Sequence, residues 1–358
     1  MSLKALPEKD GDTSGCGDMA DKLITIFGGS GFVGRHLVRT LASQGWRVRV
    51  AVRDIRKAHF LKPAGDLGQI ALVPASISDP ASIAAAVEGA DAVINLVGIL
   101  YESKKRTFEG VHEKGADLVA RAAMSAGVRR LVHVSALGAN ANSPSSYARS
   151  KAAGERAVAT AFPSATIIRP SVVFGPEDGF FNRFGSIAQK LPVLPFFTDT
   201  IPHLPGGGGP KFQPVYVGDV AAAITAAVSD PHHLGKTYEL VGPRVYDMRD
   251  IMQIVNRETM RNRAIVGLPY LAAEIPARIF GFIRTLVEKI PPVSLGAPFL
   301  TPDQVVLLRL GNVANGTLPG LEAFGITPTA AEVVVPTYLK RFRPIQQTKR
   351  LRLQHRNG

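Results

Sequence analysis

The feature that most restricts the fold of this chain is a glycine-rich turn between two different hydrophobic patterns. Four glycines occur within residues 28–34, directly after the β-branched run Leu23–Phe27. Beyond the turn, apolar residues recur every three or four positions, which is the period of a helix with one buried face. The sequence therefore predicts a strand, a tight turn and a helix in immediate succession.

The same alternation of short β-branched runs and helical segments continues to Pro170. This pattern is typical of a parallel sheet covered by helices on both faces. We therefore predict an α/β fold, a Rossmann-like doubly wound parallel sheet with a smaller, irregular C-terminal lobe. The predicted strands are Leu23–Phe27, Val48–Val52, Ile70–Val73, Ala92–Val97, Arg130–Ser135, Thr166–Arg169 and, later in the chain, Phe212–Val217.

A length of 358 residues is enough for about two domains. Asp79 before Pro80, and Asp219 before an alanine-rich stretch, are both predicted to cap helices. The predicted divisions are a flexible tail at 1–20, the sheet domain at 21–170 with contributions from 211–242, the C-terminal lobe at 171–338 and a basic tail at 339–358.

Cysteine and histidine usage argues against two kinds of site. The lone cysteine, Cys16, allows neither an intramolecular disulfide nor a cysteine-based metal site, so a reducing compartment is the simpler expectation. The eight histidines show no metal-ligand spacing, and no metal is predicted. His133 is interpreted as an ordinary strand residue.

Membrane insertion and import signals are not expected either. No uncharged apolar run approaches the roughly 18 to 20 residues that a membrane-spanning helix needs. Residues 1–18 lack an apolar core and carry four acidic side chains, which argues against secretory and mitochondrial import signals. A cytoplasmic location is expected, or a matrix location after processing.

The formal net charge is +13, and seven of the positive charges lie in the last twenty residues with no acidic residue among them. Such a tail binds nucleic acid, anionic lipid or an acidic protein surface, or it is a solvated disordered end. Nucleic acid is disfavoured because no aromatic side chains are interleaved with the basic ones. The cations are Lys340, Arg341, Arg343, Lys349, Arg350, Arg352 and Arg356.

An apolar segment that carries Arg278 and Arg284 begins near Leu268. Helices with this mixture dock on a partner or lie at a membrane surface. Ordinary packing within the C-terminal lobe is the alternative.

The glycine turn predicts a dinucleotide site. Glycines after the first strand let the backbone approach a pyrophosphate, and the amides that open the following helix meet its charge. A tight structural turn is the alternative. The predicted contacts at the turn are Gly28, Gly29, Ser30, Gly31, Phe32, Val33 and Gly34, and those at the ends of the fourth and sixth strands are Leu96, Val97, Gly98, Pro170, Val172 and Val173.

Arg53 follows the second strand, where the adenosine ribose of a bound dinucleotide lies. A guanidinium matches the 2′-phosphate of NADP(H), whereas NAD(H) usually meets a carboxylate. NADPH is therefore favoured, and Asp54, the next residue, keeps NAD(H) open.

Three polar residues predict carbonyl chemistry. Tyr147 and Lys151 are four residues apart and share one helix face, and Ser135 closes the fifth strand. The lysine would hold the ribose hydroxyls and stabilise tyrosinate. A tyrosine of lowered pKa would then serve as the proton donor that hydride transfer to a carbonyl requires.

The glycine turn, Ser135 and the Tyr-x-x-x-Lys spacing resemble the short-chain dehydrogenase/reductase superfamily in its extended or atypical branch. The acidic residue that this superfamily often places after the third strand is replaced near Ala75 and Ser76. Backbone contacts of Ser76 and Ile77 with the adenine are the substitute that we expect.

Further stretches resemble one family within that superfamily, the nucleotide-binding accessory subunit of respiratory complex I, alpha-subcomplex subunit nine of NADH:ubiquinone oxidoreductase. The resemblance implies a tightly held, structural NADPH on the peripheral arm near its junction with the membrane arm. It also implies a place on the cytoplasmic face of a bacterial inner membrane, or on the matrix side. The stretches are 133–140, 146–155, 169–178, 213–220, 324–329 and 335–339.

Two functions follow from these motifs. The first is an NADPH-binding complex I subunit in which Ser135, Tyr147 and Lys151 are vestigial, with other subunits and anionic lipid head groups as partners. The second is a free NADP-dependent reductase or epimerase that acts on a carbonyl or sugar-nucleotide substrate through the same three residues.

Overall fold

A computed structural model describes residues 22–103, 106–199, 207–271 and 300–344. The expectations for the tail at 1–20 with Cys16, for Arg278 and Arg284, and for the basic tail beyond residue 344 lie outside these ranges.

The described elements form a large parallel sheet with its helices and a smaller group of strands and helices around a separate apolar core, the C-terminal lobe. The strands are β1 (Leu23–Phe27), β2 (Arg47–Val52), β3 (Ile70–Pro74), β4 (Ala92–Asn95), β5 (Arg130–Val134), β6 (Thr166–Pro170), β7 (Val173–Phe174), β8 (Val193–Phe197), β9 (Lys211–Phe212), β10 (Val215–Tyr216), β11 (Thr237–Leu240), β12 (Tyr246–Asp247) and β13 (Ala264–Leu268). The α-helices are α1 (Phe32–Ser43), α2 (Pro80–Val87), α3 (Gly115–Ser125), α4 (Ser146–Ala161), α5 (Phe181–Lys190), α6 (Val217–Ser229), α7 (Met248–Thr259), α8 (Pro302–Leu310) and α9 (Ala331–Leu339).

The central sheet has seven parallel strands in the order β11-β6-β5-β4-β1-β2-β3. Strand order reverses between β1 and β4, so the doubly wound prediction is confirmed. In such sheets the crevice at the carboxyl ends of the strands, beside the point of reversal, is the ligand site. The glycine turn follows β1 at this edge.

Apolar layers cover both faces of the sheet. On one face, Ile24 and Ile26 of β1 pack with Leu37 of α1 and Ile224 of α6. On the other face, Val93 of β4 belongs to a second cluster that includes side chains of α2, α3 and α4. The sheet is therefore buried on both sides, as continuous apolar strands require.

The C-terminal lobe has a core of its own in which Phe174, Phe181 and Phe212 pack with Ile251 and Val335. Small two-stranded pairs, β7 with β10, β9 with β12 and β8 with β13, frame it. No helix within the described ranges is long and apolar enough to cross a bilayer.

Three local predictions were wrong at their boundaries. The fourth strand ends at Asn95 and the fifth at Val134, so Val97 and Ser135 lie in the loops that follow. The run predicted as one strand, Phe212–Val217, forms the short β9 and β10 and then the start of α6. Pro214 between β9 and β10 has no N–H to continue a ladder.

The expected cap at Asp79 is confirmed, because its carboxylate accepts from the N–H of Ala81 at 3.2 Å. The expected cap at Asp219 was wrong. Asp219 lies inside the first turn of α6, and its carboxylate instead accepts from the N–H and the hydroxyl of Thr329, at 2.7 and 2.9 Å. Asp219 therefore ties α6 to the segment before α9.

An ion-pair triad fixes α4 to the sheet. Arg169 of β6 donates from Nε and Nη2 to both oxygens of Glu155 on α4, at 2.8 and 2.7 Å. Its Nη1 lies 3.5 Å from Glu239 of β11. Both carboxylates are buried. The guanidinium of Arg169 is the cation that pairs with both of them. Its pKa is raised chiefly by the hydrogen bond to Glu155.

We expect Arg169→Met to lower the free energy of unfolding by about 3 kcal/mol, because it leaves two buried carboxylates without their cation. Guanidinium chloride denaturation at neutral pH measures this loss. Arg121→Met is the matched control, because it removes the exposed i, i+4 partner of Asp117. The expected loss is much smaller than in Arg169→Met, because water screens an exposed ion pair. Equal losses in the two variants would contradict the structural role of the triad.

Candidate functional site

The glycine turn places bare backbone against the end of β4. Gly28 has φ +83°, and a Cβ on it would lie 3.1 Å from the carbonyl carbon of Leu96 and 3.2 Å from the nitrogen of Val97. Gly31 precedes α1, whose first turn has no side-chain cap. Its amides are therefore available to an anion, the arrangement that binds pyrophosphate. Ser30, Phe32 and Val33 are partly exposed around the same turn.

Arg53 leaves the end of β2 as an exposed side chain and has no hydrogen bond or ion pair within the described residues. Asp54 is engaged locally instead. It accepts from the N–H of Arg56 at 3.0 Å and lies 3.6 Å from the Nε of that arginine. The guanidinium at this strand end is therefore free for a ligand, whereas the carboxylate already has a partner.

The remaining predicted contacts surround the carboxyl edge of the sheet. Ser76 follows β3 and donates its N–H to Ser82 at 3.0 Å, while Ile77 packs on the apolar layer beside it. Leu96, Val97 and Gly98 follow β4, and Pro170 ends β6. Val172 precedes β7, and Val173 is its first residue.

Two of the three residues predicted for chemistry, Ser135 and Lys151, lie where β5 ends. Lys151 on α4 is 4% exposed, and its Nζ donates to the carbonyl of Val134 at 3.0 Å. Ser135, which follows Val134 in the chain, is also buried, and its hydroxyl has no hydrogen-bond partner within the described residues. Tyr147 lies one turn before Lys151 on the same face. A buried hydroxyl without a partner is rare and points to a ligand atom that completes it.

Burial governs the acid–base properties of this group. It lowers the pKa of Lys151 to about 8, against the opposing field of Glu155. It raises the pKa of Tyr147 to about 12. The expected lowered pKa for the tyrosine was therefore wrong, and desolvation of the phenol is the cause of the rise.

His112 belongs to the same site, although nothing in its sequence context singled it out. It is buried in a π-helical turn, Glu109–Lys114, and its Nε2 accepts from the N–H of Ile99 at 3.0 Å. The proton is therefore on Nδ1, which donates to Ser150 at 2.8 Å. Ser150 in turn donates to the carbonyl of Tyr147 at 2.7 Å.

One glycine permits this contact between His112 and α4. A Cβ on Gly154 would lie 2.0 Å from the carbonyl oxygen of His112, so only a glycine allows the helix to approach the π-helical turn. A glycine inside a helix is costly and often marks such a contact. This was the one sequence signal that could have located the site residue.

His133, on β5, is a second buried histidine near Lys151. Both ring nitrogens lack hydrogen-bond partners within the described residues. Burial, followed by the charges of Lys151 and His112, lowers its pKa to about 3. Burial is also the chief cause that lowers the pKa of His112 to about 3. Two neutral imidazoles thus border one buried lysine.

Comparison with known proteins agrees with this geometry. A family model described as NAD(P)H-binding matches residues 28–179. The mitochondrial NADH dehydrogenase [ubiquinone] 1 alpha subcomplex subunit 9 of Arabidopsis thaliana is 39% identical over 319 residues, 88% of this chain and 77% of that one. The chain belongs to this family. The resemblance to the family and the prediction of a nicotinamide cofactor are both confirmed.

One further relative and one solved structure widen the comparison. The ceramide reductase of Caulobacter vibrioides is 37% identical over 212 residues, 58% of this chain and 62% of that one. The UDP-glucose 4-epimerase of Thermus thermophilus in complex with NAD aligns over 90% of this chain and 99% of that one, with a TM-score of 0.62 and 19% identity. At this identity the epimerase shows the shared fold only.

We expect the protein to lose stability as the pH falls from about 6.5 towards 3. The two imidazoles stay neutral in the folded state while those of the unfolded chain take up protons, so the unfolded state binds more protons across this interval. His133→Leu should lessen the dependence by about 1 kcal/mol per pH unit between pH 4 and 6. Urea denaturation at several pH values measures it.

The control is His232→Leu at an exposed position, which should retain the dependence of the unsubstituted protein. An unchanged pH dependence in His133→Leu would contradict the buried, neutral state of this histidine.

Proposed function

We propose that this protein is an NADPH-binding accessory subunit of respiratory complex I, in which the cofactor is a structural element that supports assembly or stability. The observation that carries the proposal is the 39% identity to a relative named as a complex I subunit, which extends over both lobes rather than over the nucleotide-binding part alone.

The preference for NADPH rests on the end of β2. Arg53 is exposed and has no partner among the described residues, whereas Asp54 is already hydrogen-bonded. A free guanidinium suits a 2′-phosphate, and an engaged carboxylate is a poor partner for the two ribose hydroxyls of NADH.

A holding role fits the groups at the nicotinamide end. The amides before α1 would bind the pyrophosphate, Lys151 the ribose and Ser135 a polar atom near the ring. When bound, NADPH supplies a hydride. Turnover also needs a proton donor, and a tyrosine whose pKa is raised to about 12 is poorly matched to that task near neutral pH. The same groups suffice to grip a cofactor that is not consumed.

The proposed location follows from the relatives. They are named as mitochondrial complex I subunits, so we place this protein on the matrix side of that complex or on the cytoplasmic face of a bacterial inner membrane. Neighbouring subunits of the peripheral arm, and anionic lipid reached by the basic C-terminus, are the proposed partners.

Native purification in mild detergent tests this function. We expect the protein to comigrate with complex I and to release about one NADPH per chain, detected by mass spectrometry, only when it is denatured. A protein that migrates alone and exchanges its cofactor within seconds would contradict the proposal.

Arg53→Asp tests the choice of cofactor. We expect the dissociation constant for NADPH to rise at least tenfold, because the variant removes a charge-assisted contact and adds a repulsive one. The constant for NADH should change by less than threefold. Titration of nucleotide fluorescence with the full chain measures both.

Arg47→Asp is the matched control, because it makes the same charge change at the opposite end of the same strand. It should alter neither constant by more than about twofold. Equal losses for NADPH and NADH in Arg53→Asp would show that the 2′-phosphate lies elsewhere.

A second candidate is favoured by one observation, the buried Ser135 hydroxyl, which has no hydrogen-bond partner among the described residues. In a reductase, Ser135 would hydrogen-bond the substrate carbonyl oxygen and Tyr147 would give that oxygen its proton. The relative named as a ceramide reductase makes a ceramide-related carbonyl compound the substrate to try first. Consumption of NADPH that is abolished in Tyr147→Phe would establish this activity, and no consumption would exclude it for that substrate.

A further inference from the structure

Three hydrogen bonds from the start of α4 end on one carboxylate of the C-terminal lobe. Asp303 accepts from the backbone N–H of Ser146 at 2.7 Å and from that of Tyr147 at 3.1 Å. It also accepts from the hydroxyl of Ser145 at 2.9 Å. The first N–H groups of a helix have no partner within that helix. Asp303 therefore completes the cap of the helix that carries Tyr147 and Lys151.

The helix to which Asp303 belongs does not need this carboxylate for its own cap. At the start of α8, Thr301 accepts from the N–H of Gln304 at 3.2 Å, and the side chain of Gln304 accepts from the N–H of Thr301 at 3.0 Å. This reciprocal pair satisfies the α8 terminus. Both oxygens of Asp303 are left for α4.

Other contacts lay α8 along the carboxyl edge of the sheet. Gln304 donates to the carbonyl of Leu100, in the loop after β4, at 3.4 Å. Beyond the other end of α8, the side-chain oxygen of Asn312 accepts from the hydroxyl of Ser171 at 2.6 Å and from the N–H of Val172 at 2.9 Å. Its amide nitrogen donates to the carbonyl of Leu137, after β5, at 3.3 Å. The helix thus joins the loops that follow β4, β5 and β6.

We propose that α8 is a latch over the nicotinamide end of the cofactor site and that Asp303 is a positioning residue for Tyr147 and Lys151. The part of this inference that concerns the cofactor rests on the proposed function, because it takes NADPH as the ligand. The physical basis is that a carboxylate between the amides of one helix and the backbone of another holds the two together. Movement of the C-terminal lobe away from α4 then loosens the grip on the nucleotide.

Asp303→Asn tests the latch. The substitution keeps the size of the side chain but removes its charge and replaces one acceptor oxygen by a donor. We expect NADPH to dissociate from the full chain at least tenfold faster, measured by stopped-flow displacement of the fluorescent nucleotide. Asp303→Ser, which removes the carboxylate from the same position, is the second variant with the same expectation.

Asp199→Asn is the matched control. Asp199 also contacts α8, through Arg309 at 3.1 Å, and the variant loses the same charge. Because this contact does not reach α4, we expect the dissociation rate to change by less than twofold. Equal rates in the Asp303 and Asp199 variants would overturn the latch.

A variant that lacks the side chains of Tyr147 and Lys151 shows whether Asp303 acts through them or only stabilises the fold. In the double variant Tyr147→Phe, Lys151→Met, we expect Asp303→Asn to add less than twofold to the dissociation rate. Residues that act through one another are not additive. The full tenfold effect in this background would overturn the positioning role.

Hydrogen exchange without nucleotide separates this inference from the proposed function. The amides of Ser146 and Tyr147 should exchange at least tenfold faster in Asp303→Asn and at the original rate in Asp199→Asn. That result supports the latch even if the protein binds no NADPH. Unchanged exchange in a protein that binds NADPH tightly would overturn the latch and leave the proposed function standing.

Discussion

The ion pair between Arg169 and Glu155 is the interaction on which the geometry of the site depends. Tyr147, Lys151 and Glu155 follow one another at four-residue intervals and therefore lie on one face of α4. The bonds from Arg169 of β6 to Glu155 thus also orient the helix face that carries Tyr147 and Lys151. A bidentate, nearly buried pair defines both the distance and the rotation of a helix, which apolar packing alone does less sharply. Asp303 then holds the free end of α4, so the helix is fixed at two points about two turns apart.

The same site concentrates groups that burial destabilises. Lys151 is a buried cation with one carbonyl partner, and both His112 and His133 are held neutral beside it. Each costs folding free energy, which the apolar layers on the two faces of the sheet offset. Ionisable groups with strongly shifted pKa values cluster at functional sites. The cluster therefore agrees with a bound nucleotide under either proposed function.

Much of the fold and part of the site could be predicted from sequence. Six strands of the sheet and the glycine turn are local patterns, because strand and helix periods are written in consecutive residues. The ends of the strands were predicted less accurately than their positions. The predicted strand Phe212–Val217 is divided into β9, β10 and the start of α6, with Pro214 between the two strands. Ser135, Tyr147 and Lys151 could be proposed from sequence, because a tyrosine and a lysine four residues apart share one helix face and the serine follows a predicted strand. His112 and Asp303 were not, because no local pattern distinguishes them from ordinary helix residues.

The sequence by itself determined the succession of the first six strands, the glycine turn and the positive charge of Arg53 after the second strand, since each is read from residues close together in the chain. Only the tertiary structure decided that α8 caps α4, that Asp54 is already engaged, and that the pKa of Tyr147 rises rather than falls. The physical reason is that desolvation and hydrogen-bond partners depend on which distant elements meet. Ser146 and Asp303, separated by 157 positions, become partners only once both lobes have folded.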